Sequence, residues 1–307
     1  MRAVLLLLAA AASARASPPP VVGGSPAPPN TWPDAVAVIG HAGTCSGTLI
    51  GSDLVLTAGH CSEIEPAQIV ADTVDYTRGG VGVEVAQTIV HPGWASGYDA
   101  AVLVLATPVP GIAPRAIGTA CTFDAFDAGT AVELVGFGLT DAGANTVLHE
   151  ASVPVTDPAC TDGDGCRASI APGGEFVAGG DGVDTCNGDS GGPVYLATPR
   201  GEVVVGVVSR GVAAASTACG GGGIYVRTDK LAGWLADVAS EIATDVTIDA
   251  CGSGVVPAVA EPAADVDGGC DASRGQAGLF VALAALLVRR RRPNAGHARP
   301  SPGQGAR

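Results

Sequence analysis

One stretch of this 307-residue chain carries the residue types of covalent catalysis. Asp184-Thr185-Cys186-Asn187-Gly188-Asp189-Ser190-Gly191-Gly192-Pro193 sets a serine among glycines. A serine hydroxyl is a weak nucleophile unless a base takes its proton and nearby donors hold the oxyanion that forms. Gly188 beside Ser190 lets the backbone turn the N–H groups of Gly188 and Ser190 into one pocket, an oxyanion hole. A glycine-rich run alone also fits an ordinary turn; a base and an orienting acid decide between the two. The chain holds five histidines. His60, in Leu56-Thr57-Ala58-Gly59-His60-Cys61, follows a strand-like run and has beside it a cysteine able to clamp its loop. His91 precedes Pro92 in a loop, His41 and His149 have no comparable setting, and His297 lies in the tail. The third group is a carboxylate that orients the imidazole and stabilises its cation. Asp99 stands at the mouth of the apolar run Ala100-Ala101-Val102-Leu103-Val104-Leu105, where a charge is costly unless paired. His60, Asp99 and Ser190 are the candidate catalytic residues.

The elements that must position these groups read as strands. Short β-branched runs recur at Val36 to Ile39, Thr48 to Ile50, Leu54 to Thr57, Val81 to Val90, Ala101 to Leu105, Val132 to Val135, Val203 to Ser209 and Ile224 to Arg227. Gly, Pro, Asp and Asn clusters separate them at close spacing, which predicts an all-β sandwich or barrel. Only Asp229 to Ile242 has helical spacing, with Leu231, Trp234, Leu235, Val238 and Ile242 at three- and four-residue steps. It predicts a terminal helix packed on the barrel.

The two ends read differently from the middle. Residues 1–16 have the charged, apolar and small-residue order of a secretory signal peptide, and Ser17-Pro18-Pro19-Pro20 is a stiff extended pro-segment or spacer. Residues 21–250 form the expected globular domain and 251–276 a Pro-, Ala-, Gly- and Asp-rich linker. In residues 277–307 a short apolar run, Gly278 to Val288, meets the basic block Arg289 to Arg292, downstream of Cys270. The run is shorter than the roughly 20 residues that cross a bilayer. This segment resembles the C-terminal sorting tags of myxobacterial surface proteins, which implies transient or anchored membrane contact through the tail. A weak membrane anchor is the alternative.

The formal charge of −14, from 16 Lys and Arg against 30 Asp and Glu, argues against nucleic acid as a partner. Nine cysteines in an exported chain point to disulfides with one thiol left over, read as Cys270. The sequence calls for no cofactor and no metal; the turn at Asp162-Gly163-Asp164 lacks the further ligands of a calcium loop.

Taken together, TAGHC around His60, YDAAVLVL around Asp99 and GDSGGP around Ser190 resemble the chymotrypsin and trypsin family of serine proteases, over roughly Val21 to Ile242. The resemblance implies two packed six-stranded antiparallel β-barrels with a C-terminal α-helix and the triad in the cleft between them. It implies polypeptide substrates, with protein inhibitors or an activating protease as further partners. Asp184, six positions before the nucleophile, matches the base of the primary specificity pocket and implies cleavage after Arg or Lys. Gly211 and Gly223 match the pocket walls, and Ser209-Arg210-Gly211 matches the strand that pairs with substrate backbone. Arg210 departs from the family, which usually has an aromatic there, and would favour an acidic residue in the neighbouring subsites.

Val21-Val22-Gly23-Gly24 matches the new N-terminus that activation creates, and Asp189 its buried partner. Pro20 before Val21 does not suit a trypsin-like activator, so another protease trims this segment or activation works differently. The family also implies the disulfides Cys45–Cys61 and Cys186–Cys219. Its usual partner near Val177 is missing, so Cys160 is expected to close on Cys166, leaving Cys121 for Cys251. A protease-like surface or binding protein that does not cleave is the alternative function.

Overall fold

Valine, isoleucine and leucine runs fit a pleated, half-buried surface, and here they pair into two closed barrels. The computed structural model describes residues 21–139, 145–161, 165–213, 215 and 217–249; the expectations for residues 1–20 and 251–307 lie outside them. The chain divides into Met1–Gly254 and a second unit, Val255–Arg307, which lies wholly outside the described residues.

A two-residue strand, β1 (Ser25–Pro26), precedes the first barrel. That barrel comprises β2 (Ala35–Gly40), β3 (Gly43–Gly51), β4 (Leu54–Thr57), β5 (Pro66–Ala71), β6 (Val81–Val90) and β7 (Ala101–Leu105), closed in the order β2-β3-β4-β7-β6-β5. The second comprises β8 (Ala131–Gly136), β9 (His149–Asp157), β10 (Glu175–Ala178), β11 (Pro193–Thr198), β12 (Gly201–Gly211) and β13 (Gly223–Arg227). Its strands run β9-β10-β13-β12-β11-β8, β8 pairs back onto β9, and β1 lies along β9. Closure pairs the strand edges that an open sheet would expose.

Burial follows the pleat. Along β9, Ala151, Val153 and Val155 are buried while Ser152, Pro154 and Thr156 are exposed. The first core gathers Val36, Val38, Leu49, Leu56, Ile69 and Leu103, and continues onto Tyr195 and Val207 of the second barrel. The second gathers Leu134, Val153, Phe176, Val205 and Tyr225, with the Phe176 ring 5.0 Å from Phe126 and 5.2 Å from Tyr225. The helix α1 (Thr228–Glu241) buries Leu231, Leu235, Val238 and Ala239, one face of a 3.6-residue period, against the first cluster.

Disulfides join Cys45 to Cys61 and Cys186 to Cys219, the pairs the family resemblance implied, and Cys160 to Cys166, the pair expected where the sequence departs from the family. Cys121 is also disulfide-bonded, and its expected partner Cys251 lies outside the described residues.

Candidate active site

The register between two strands brings His60 and Asp99 together. Thr57 at the end of β4 pairs with Ala101 at the start of antiparallel β7, so the residues after one and before the other leave the barrel at the same end. There the chain turns into a short 3-10 segment, Gly59–Ile64, which the Cys45–Cys61 disulfide ties to β3. Asp99 Oδ2 lies 2.8 Å from His60 Nδ1, and Asp99 Oδ1 accepts the His60 backbone N–H at 2.9 Å. The Ser209 hydroxyl donates to Asp99 Oδ2 at 2.7 Å. Burial pushes the Asp99 carboxyl up, but the His60 side chain and these other hydrogen bonds outweigh it and hold the group below the usual carboxylate range. The carboxylate therefore stays charged at neutral pH and fixes the imidazole with Nε2 turned away from it. Cys45, His60 and Cys61 also come within ligand distance of one another, but the two sulfurs are bonded to each other and offer no thiolate to a metal.

Ser190 arrives from the second barrel, on the turn before β11, and this turn docks on β3 of the first. The Ser46 N–H donates to the Ser190 carbonyl at 2.8 Å, and the Ser46 hydroxyl donates to the Gly188 carbonyl at 2.9 Å. Among the described residues the N–H groups of Gly188 and Ser190 donate to no protein acceptor. His60 and Ser190 line one cavity of about 240 Å3 with Thr185, Cys186, Asn187 and Gly211. No hydrogen bond joins His60 to Ser190; bonds of this kind are often long and tighten only with substrate.

Asp184 is 1 % exposed and is not among the residues lining this cavity, though its neighbour Thr185 is. Its Oδ2 accepts the Gly222 N–H at 3.0 Å and its Oδ1 the Thr185 hydroxyl at 3.2 Å. Burial raises its pKa to about 6, against the hydrogen bonds that lower it. Gly223 must lack a side chain: a Cβ there would collide with the Tyr225 hydroxyl and stand 3.0 Å from Asp184 Oδ1. A Cβ at Gly211 would meet only the Ala218 carbonyl, at 3.9 Å, so that wall is open.

Asp189 is 0 % exposed, accepts the Gly138 N–H at 2.7 Å and the Cys186 N–H at 2.8 Å, and forms no ion pair among the described residues. Burial foremost, and then the nearby Asp184 charge, raise its pKa to about 7. Val21 is buried in the second core cluster, and the Val22 carbonyl accepts the Asp184 N–H at 3.0 Å. The segment expected to carry the new N-terminus thus lies against the segment that leads to the nucleophile.

The expectation that Arg210 would favour an acidic substrate residue is corrected. Its guanidinium holds Glu175 through two bonds, of 2.7 and 3.0 Å, and also donates to the Gly165 carbonyl and the Ser209 hydroxyl. Glu175 was missed because it lies 35 residues from Arg210 with no local pattern to flag it. The Ser209 hydroxyl donates to Asp99, a positioning role beside the substrate-pairing one expected of its strand.

Two closed antiparallel barrels, with a His–Asp pair from the first facing a glycine-flanked serine from the second, define the chymotrypsin-like class of serine protease. Comparison with known proteins agrees. The family described as Trypsin matches residues 21–235. The chain is 33% identical over 234 residues to Serine protease 56 of Homo sapiens, covering 69% of this chain and 37% of that protein. It is 32% identical over 212 residues to Trypsin iota of Drosophila melanogaster, covering 64% of this chain and 79% of that one. Against Trypsin of Saccharopolyspora erythraea the identity is 35% over 199 residues, with 60% and 81% covered. The chain belongs to the Trypsin family of serine proteases.

Proposed function

We propose that the chain is an exported serine endopeptidase that hydrolyses peptide bonds after Arg or Lys through an acyl-enzyme. Ser190 Oγ attacks the carbonyl carbon while its proton passes to His60 Nε2. Asp99 holds the imidazolium so formed, and the N–H groups of Gly188 and Ser190 hold the oxyanion. Collapse breaks the C–N bond, and the departing amine takes the proton from His60. Water repeats the sequence on the ester, releasing the acid and restoring Ser190. The observation that carries this reading is the His60–Asp99 bond at 2.8 Å on the same cavity as Ser190. The unengaged Gly188 and Ser190 donors support the oxyanion role.

Asp184, between the glycine walls Gly211 and Gly223, pairs with the substrate cation, which requires the covered carboxylate to open toward the cavity. Cleavage before Val21 frees an ammonium that pairs with Asp189; the lack of a cationic partner for this carboxylate among the described residues supports that role. Residues 1–16 direct export, 17–20 are removed, and 277–307 hold the protein at the surface until processed. Pro20 keeps one rival reading, a protease-like binding protein, in view.

A serine-directed fluorophosphonate separates them. Labelling of the form that begins at Val21, abolished by Ser190→Ala and by His60→Ala, is expected. An unlabelled Ser190 in a folded chain means the triad is inert.

A further inference from the structure

A second cavity, of about 340 Å3, adjoins the one holding Ser190 and shares His60, Ser209 and Arg210 with it. Trp94, Ala95 and Arg167 complete its wall. A peptide whose scissile bond lies at Ser190 and whose preceding residues run along Ser209–Gly211 passes into this space.

The charges around it are unequal in availability. Arg210 is neutralised by Glu175, itself buried. Asp99 also borders the cavity, but its oxygens are engaged by His60 and Ser209 and its side chain is 9% exposed, so its charge acts on His60. Arg167 differs. Its backbone N–H donates to Glu175 Oε2 at 2.8 Å, which fixes where the side chain starts. Its Nη1 donates to the Ala95 carbonyl at 3.1 Å, across from the loop of the other barrel, which holds the guanidinium at the cavity wall. Among the described residues it pairs with no carboxylate. One hydrogen bond to a neutral carbonyl leaves most of its donors and all of its charge for a ligand.

Resting on the proposed endopeptidase reading, we infer that Arg167 is a specificity-determining residue that selects an acidic side chain among the second to fourth residues before the scissile bond. Arg210, which the sequence pointed to, instead braces the wall. The preferred substrates then combine a basic residue at the cut with a carboxylate just upstream. Because the protein's formal charge is −14, this attraction is local and weakens as salt rises.

The test uses the full chain, in which Pro20→Arg lets immobilised trypsin free Val21. Peptide substrates ending in Arg before the reporter carry Glu, Ala or Lys at the second, third or fourth position before the bond. At one of these positions kcat/KM for Glu is expected to exceed that for Lys about fivefold or more, as an attraction turns into a repulsion. Arg167→Gln brings this ratio near one, Arg167→Glu inverts it, and Arg167→Lys keeps part of it, which separates charge from folding. A ratio near one at all three positions, or one that survives in Arg167→Gln, overturns the inference while leaving the endopeptidase standing. Failure to cleave any substrate, with Val21 free, overturns both.

Discussion

Asp99 meets three donors: the His60 ring, the His60 backbone N–H and the Ser209 hydroxyl. A carboxylate so engaged selects one imidazole tautomer. Asp99→Asn, which turns an amide toward that ring, is expected to lower kcat about ten-thousandfold with little change in KM, the loss known for proteases with such a triad. Ser209→Ala leaves the ring bond and removes one charge-assisted donor, so a fall of about tenfold in kcat/KM is expected from steady-state kinetics. Asp184 makes a separate prediction through pH. Its pKa of about 6 leaves it charged above that value and neutral below. The ratio of kcat/KM for Arg over Phe substrates removes what the two reactions share, and is expected to shrink as pH falls through 6, by up to about tenfold per pH unit. In Asp184→Ser the ratio should be small and flat.

Among the elements, the nucleophile turn is the most tightly constrained. Gly191 has φ +80°, and a Cβ there would collide with Thr57 Oγ1 and the Ser46 carbonyl, atoms of the first barrel. Gly191→Ala must separate the turn from β3 and is expected to destabilise the fold by about 3 kcal/mol or more, read from urea unfolding. The buried Asp189 gives the uncut chain a distinct pH dependence. Its pKa is near 7 when folded and near 3.8 when unfolded, so ionisation favours the unfolded state. The contribution of the neutral Asp189 is whole below about pH 4, falls as pH rises toward 7, and ends about 4 kcal/mol lower. Asp184 adds to the loss in the same direction. Asp189→Asn should flatten the Asp189 part of that slope. In the form cut before Val21 the new ammonium is expected to remove it as well, so unfolding at pH 5 and pH 8 compares the two.

Much of this was legible along the chain because the chemistry sits in contiguous segments. His60 and Ser190 lie in short runs whose neighbours, Cys61 and the flanking glycines, belong to the same function. Asp99 opens a strand whose apolar run marked it out. The strands not read from sequence, β1, β5, β9, β10 and β11, lack such a marker. Pro154 breaks the β-branched pattern of β9, where its side chain faces outward, and β10 begins on a charged residue, Glu175, that the distant Arg210 and the Arg167 N–H make tolerable in a buried place. Long-range ion pairs leave no periodic trace, so the neutralisation of Arg210 and the availability of Arg167 became visible only in the folded chain.

On the scale of the whole molecule, the cleft exists because two barrels keep a fixed relation, and a buried polar cluster helps to hold it. Asp34, before β2, accepts from Arg115 at 2.5 and 3.1 Å, and from the Tyr195 hydroxyl of β11 at 2.8 Å. Trp32 stacks on the Tyr195 ring at 4.3 Å. Arg115→Ala leaves a fully buried carboxylate without its cation and is expected to cost about 3–5 kcal/mol in urea unfolding. The central proposal is that Ser190 cuts peptides after a basic residue held by Asp184. The measurement that bears on it most directly is hydrolysis of matched Arg and Phe peptides by the full chain cut before Val21, with Ser190→Ala alongside. Strong preference for Arg and no hydrolysis in the variant are expected. Preference for Phe would contradict the role of Asp184, and activity that survives Ser190→Ala would contradict the triad itself.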